Sequence, residues 1–107
     1  MILGQYVVIT GHGGPKNALY FIFDTESRSF SYAFIGTHLV WQYDDLSTAA
    51  YVDGSNILSI DGHTLAELDL AENEYVYGLS YSQDGTVLTA TIVSSEETER
   101  IVRLTLP

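Results

Sequence analysis

The stretch Ser29-Phe30-Ser31-Tyr32-Ala33-Phe34-Ile35 alternates without a slip. Phe30, Tyr32 and Phe34 fall on one side of an extended chain, and Ser29, Ser31 and Ala33 on the other. Successive side chains of a strand point to opposite faces, so this period of two predicts a half-buried β-strand. Just upstream, residues 18–24 set Leu19, Phe21 and Phe23 against Tyr20 and Ile22. Both faces are apolar, which predicts a central strand. Thr25-Glu26-Ser27-Arg28 between the two runs reads as a polar turn. Residues 5–10 form a further apolar run, closed by Gly11-His12-Gly13-Gly14-Pro15-Lys16-Asn17. No strand or helix interior tolerates that density of glycine and proline, so a loop is expected there.

The same grammar continues downstream. Gly36-Thr37 is expected to break the chain, with a new strand at 38–43 carrying Leu39, Trp41 and Tyr43 on one face and Val40 on the other. Asp44-Asp45-Leu46-Ser47 reads as a turn, 48–52 as a short strand, and Asp53-Gly54-Ser55-Asn56 and Asp61-Gly62-His63 as hairpin turns around 57–60. Residues 64–70 fit a strand by alternation and a short helix by the Leu65–Leu68 spacing; the strand is preferred. Strands are expected at 75–81, 86–93 and 100–106. Ser82-Gln83-Asp84-Gly85 makes a turn in which glycine supplies a positive φ. The sum is an all-β antiparallel meander of nine or ten strands without a helix.

Composition sets the outer bounds. The chain has 107 residues, which suits one core and one domain, 1–107. It has no cysteine, so it is neither a disulfide scaffold nor a thiolate metal site. At 46% hydrophobic it is not disordered. Its net charge of −10 opposes phosphate backbones, so no nucleic-acid partner is expected. Twelve of the 14 acids lie between Arg28 and Arg100, an interval with no lysine or arginine. Most of them lack a cation within the chain and are expected to face water, a metal or a cationic partner. No segment has the roughly 18 apolar residues of a membrane span, and the N-terminus lacks a signal-peptide pattern. No membrane partner is expected, and the cytoplasm is the default compartment.

Two segments share a pattern. Val40-Trp41-Gln42-Tyr43-Asp44-Asp45 followed by 48–52 superposes on Leu79-Ser80-Tyr81-Ser82-Gln83-Asp84-Gly85 followed by 87–92. Each is an aromatic-bearing strand, an acidic turn and a β-branched strand. The repeat divides the chain into partial units 5–35, 38–70 and 75–106. The run Tyr77-Gly78-Leu79-Ser80-Tyr81-Ser82-Gln83-Asp84-Gly85-Thr86-Val87-Leu88 resembles the inner strand, Ser-x-Asp-Gly turn and next strand of a β-propeller blade of the WD40 or TolB-like kind. Residues 53–62 are similar to that family's following hairpin. The likeness departs at Trp41, which Gln42 follows where the WD40 family has aspartate. It implies about two and a half blades, short of a closed ring, to be completed by other copies of the chain or by the rest of a longer protein, and self-assembly is preferred. The alternative is a single-chain β-sandwich or barrel.

Chemistry is sparse. His12, His38 and His63 have no metal-ligand spacing, no calcium-loop motif occurs and there is no nucleophile elbow. Lys16 in the glycine-rich loop lacks phosphate-loop spacing. No cofactor, metal or catalytic residue is expected. Eight tyrosines, four phenylalanines and one tryptophan exceed the needs of a small core, and such residues favour interfaces. The expected function is a non-catalytic protein-interaction or self-assembly module, partnered by protein or by its own copies. Its interaction residues are expected at Trp41, Tyr43, Tyr77, Ile101 and Leu104. The alternative is a small ligand-binding module, for carbohydrate or calcium, on an acidic, tyrosine-rich face.

Overall fold

The computed structural model describes residues 2–14 and 17–106. Met1, Pro107 and, within the glycine-rich loop, Pro15 and Lys16 lie outside the described residues. The described residues form ten strands and no helix: β1 (Ile2–Leu3), β2 (Tyr6–His12), β3 (Ala18–Asp24), β4 (Ser29–Gln42), β5 (Asp45–Asp53), β6 (Asn56–Ser59), β7 (Thr64–Glu67), β8 (Glu74–Tyr81), β9 (Val87–Ser94) and β10 (Glu99–Thr105). Strands β1 to β7 pair in chain order as one antiparallel sheet, and β8, β9 and β10 make a second with β9 central. The all-β antiparallel meander read from alternation is therefore the fold. The turns follow their residues. Asp53 pairs with Asn56 across a two-residue connection in which Gly54 has φ 61°, and Gly85 has φ 75°. Both values lie in the left-handed region that favours glycine.

Strand β4 differs from expectation in two ways. Gly36 does not break it, and residues 29–42 run as one strand. The first half pairs with β3 and the second with β5. Its alternation is also interrupted. Ile22 stands opposite Tyr32 but Phe23 opposite Phe30, so Ser31 is an extra, bulged residue. The bulge turns Phe30 to the opposite face from Tyr32 and Phe34. A second irregularity falls between Thr37 and Val40, where His38 has φ 57°. Here the register shifts again, leaving Leu39 and Trp41 on one face and Val40 on the other, as expected.

Two apolar clusters result. The seven-stranded sheet curls into a half-barrel. The curl encloses Leu3, Val8, Ile22, Leu46, Ala49 and Ile60, with Tyr6, Tyr20, Tyr32, Phe34, Leu39 and Trp41 packed around them. Phe34 stacks on Tyr51 at 4.2 Å between ring centroids. On the outer face, Ala50, Val52 and Ile57 meet Val76, Leu79, Leu88, Ala90 and Ile92 of the second sheet. Strand β5 is thus buried on both faces.

The two pattern-related hairpins lie against each other. Gln42 Nε2 donates to the Ser82 carbonyl at 3.2 Å and Tyr43 Oη to the Gln83 carbonyl at 3.0 Å. Tyr81 Oη donates to the Thr48 carbonyl. The β4–β5 connection is shorter than the four-residue turn expected from 44–47. Only Tyr43 and Asp44 turn, both with φ 52°, and β5 begins at Asp45. Two positive φ values mark a tight hairpin turn that prefers Asn-Gly, because side chains crowd the backbone there. Asp44→Gly should therefore raise stability by about 0.5–1 kcal/mol in thermal melts. Tyr43→Gly should not, because it also removes the bond to Gln83.

Charge ties the second sheet at one end. Arg100 Nε donates to Glu74 Oε2 at 2.9 Å, and its Nη2 to the Asp69 carbonyl at 2.6 Å. The Arg100 hydrogen bonds, with that from the Ala71 N–H, hold the Glu74 carboxyl down at about 2. Asp84 is also lowered to about 2, by the hydroxyls of Ser82 and Thr86 and the Thr86 N–H. A carboxyl held down in the fold stabilises it above its ordinary value and stops doing so as acid protonates it. Melting temperature should therefore fall as pH drops from about 4.5 towards 2. The fall should be shallower in Glu74→Gln and in Asp84→Asn, whose melts over that range provide the check.

Candidate functional site

The second sheet covers only part of the outer face it packs on. Cross-strand register defines what lies beside it. Val7, Phe23 and Phe30 form one row across β2, β3 and β4. Ile9, Phe21 and Ala33 form the next, and Gly11, Leu19 and Ile35 the third. Ile2 extends the first row through its pairing with Val7. Ile35 precedes Thr37 by two residues, and Thr37 stands opposite Val52, which the second sheet buries. The three rows therefore continue the face that β8–β10 cover elsewhere. Here it is open: Ile2 is 73%, Ile9 46%, Phe30 60% and Ile35 49% exposed.

The local sequence explains the surface. Strand β3 is apolar on both sides, so the curl takes Tyr20 and Ile22 and leaves Leu19, Phe21 and Phe23 outside. The Ser31 bulge adds Phe30, which meets Phe21 and Phe23 edge-on at 5.9 and 5.2 Å between centroids. No row contains an ionisable group, in a chain of net charge −10. Scattered exposed apolar residues are ordinary, whereas these stand side by side as one contiguous aromatic and aliphatic face, which makes it the candidate site.

The residues expected to interact do not gather into one site. Trp41 is packed into the curl and Leu104 against the core between the sheets. Tyr43 is exposed at its hairpin turn, Tyr77 at a bulge in β8, and Ile101 on the edge strand β10. Ile101 pairs with Thr91, away from the inward-facing Val102 and Leu104. The residues that do converge, Ile9, Phe21, Phe23, Phe30 and Ile35, read in the sequence as strand positions and not as a site. Their signal was the second apolar face of 18–24.

The described residues also line concavities away from these rows. A cleft of about 470 Å³ is lined by Tyr6, Tyr32, Asp44, Asp45 and Asp61, with Gln5 and Ser47 among its other residues. Tyr32 Oη donates to Asp61 Oδ1 at 3.4 Å, and burial, then the Asp61 charge, push the phenol up. A cavity of about 560 Å³ is lined in part by Asn17, His38, Glu74 and Tyr75. His38 Nδ1 is buried with no hydrogen-bond partner. Among the described residues no three His, Asp or Glu side chains are grouped to hold a metal. Among the described residues no helix is long and apolar enough to cross a membrane. In comparisons with known proteins, no family model matches the chain, and no curated protein or solved structure is significantly similar to it.

Proposed function

We propose that the chain is a non-catalytic protein-interaction and self-assembly module that works through the open half of its larger sheet. The observation that carries this reading is the uncharged apolar face of Ile9, Phe21, Phe23, Phe30 and Ile35, continuous with a face the fold buries elsewhere. Its chemistry is desolvation, with aromatic anchors that favour interfaces and no group that donates, accepts or attacks. The charge of −10 opposes polyanionic nucleic acid and favours protein partners. The likeness to partial propeller blades supports the same logic, since incomplete sheet units are completed by other sheets. The test is affinity capture with the wild-type chain and with Ile9→Glu/Phe30→Glu. At least one protein, a second copy of the chain included, should bind the first and be lost from the second. Capture that is identical for both sinks the reading.

The cleft of Tyr6, Tyr32, Asp44, Asp45 and Asp61 favours a second reading, a small polar ligand such as a carbohydrate. Ligand that binds only the folded chain raises its melting temperature. Under this reading an oligosaccharide panel gives a shift that Tyr6→Ala abolishes. A flat response across oligosaccharides and calcium removes it.

A further inference from the structure

We infer that the open face is covered by the same face of a second copy, two chains stacking sheet on sheet about a twofold axis. This rests on the interaction reading above and names its partner. The fold itself shows what this surface accepts. Its other half is covered by an antiparallel sheet, β8–β10, whose inward side chains interdigitate with Ala50, Val52 and Ile57. A second chain offers the same kind of surface, a twisted antiparallel sheet with apolar rows. Two such sheets pack face to face at about 10 Å.

Area supports the assignment. The side chains of the three rows and Ile2 expose on the order of 500–600 Å² per chain, so a symmetric pair removes about 1,000–1,200 Å² from water, the range where specific interfaces begin. Symmetry does as well. A twofold contact puts each patch against itself, which for a charged patch means like charge on like. The rows carry no ionisable group, so two chains of net charge −10 meet there without burying a carboxylate. The Phe21 position, in the middle row of the central strand, lies near the axis.

The test is solution molar mass by light scattering from about 1 to 200 µM, spanning the affinities typical of interfaces at this size limit. A dimer of twice 11.8 kDa is expected at the upper end. Raising salt should tighten it several-fold by screening the repulsion between acidic chains. Ile9→Glu/Phe30→Glu should be monomeric throughout with an unchanged circular dichroism spectrum. Should that variant fail to fold, Ile35→Glu replaces it. Ile101→Lys, on the β10 edge, should leave the dimer intact. The chain has no cysteine, so Ala33→Cys introduces a unique thiol. A bismaleimide of about 10 Å, the sheet spacing, should join two Ala33→Cys chains and spare Tyr77→Cys.

A wild-type chain monomeric at every concentration overturns the inference. So does a dimer dispersed by Ile101→Lys and not by Ile9→Glu/Phe30→Glu, which would place the contact on the strand edge. A monomeric chain that still captures another protein through the face leaves the interaction module standing and removes the twofold stack. Capture indifferent to the face, with no dimer, removes both.

Discussion

Gly36→Ala is expected to cost the fold about 3 kcal/mol or more, while Gly78→Ala is close to neutral. Both glycines lie within strands and neither needs a positive φ, so propensity alone ranks alanine as no worse at either site. The difference is space. A Cβ on Gly36 would stand 2.5 Å from Tyr51 Cδ2 and 2.7 Å from the Val52 carbonyl oxygen. Nothing lies within 4 Å of the corresponding point at Gly78. The Tyr51 ring has little freedom to yield, because it is buried and stacked on Phe34. The Val52 oxygen belongs to the backbone of the doubly buried strand β5 and yields less still. Overpacking of this kind usually costs about 1–3 kcal/mol, and more where backbone must move. Urea melts of the two variants measure the contrast. Equal losses at both positions would mean that Tyr51 does not lie over Gly36.

That contact also shows where reading the sequence stops. Residues 18–24 were legible to the residue, because a run of alternating bulky side chains between a glycine-rich loop and a polar turn has one reading. Gly36 read as a break because a glycine kept free for a neighbour's ring looks like any other glycine. The ring that requires it is fifteen residues away, on the next strand. Serine 31 hid its bulge for a related reason. Strict alternation through Phe30, Tyr32 and Phe34 is perfect in one dimension, and only pairing with β3 shows that Phe23 takes Phe30 as its partner. The candidate site depended on that same slip. Without it Phe30 points into the curl, and the outer face loses its most exposed aromatic residue. Trp41 reads as a surface residue by its type and Leu104 by its place on the last strand, yet each packs against a cluster that only the folded sheets assemble. Sequence shows that a face is apolar. Whether it is covered depends on where the second sheet ends.

Leu88→Ala and Ile22→Ala should each lower stability by about 2–5 kcal/mol, and both variants should melt in one transition. Each side chain is fully buried, Leu88 between the sheets and Ile22 in the curl, so truncation removes contacts and leaves a cavity. The two clusters share no buried residue, and a chain with two cores is free to melt in two steps. Strand β5 argues against it. Ala49 belongs to the curl and Ala50 and Val52 to the inter-sheet cluster, while Tyr51 stacks on Phe34 beneath. Loss of either cluster exposes one face of β5 and frees the backbone that orders the other. The hairpin clasp of Gln42, Tyr43 and Tyr81 couples the same elements from their ends. Calorimetric and van't Hoff enthalpies should therefore agree for both variants. The losses should add in the double variant to within about 0.5 kcal/mol, since the two sites belong to separate clusters. A chain of this length has about 5–15 kcal/mol in total, so the double variant tests the edge of folding. Two resolved transitions in Leu88→Ala would make the sheets independent units and β5 a hinge. A single one at reduced temperature makes them one domain, whose open face is held rigid by the core behind it.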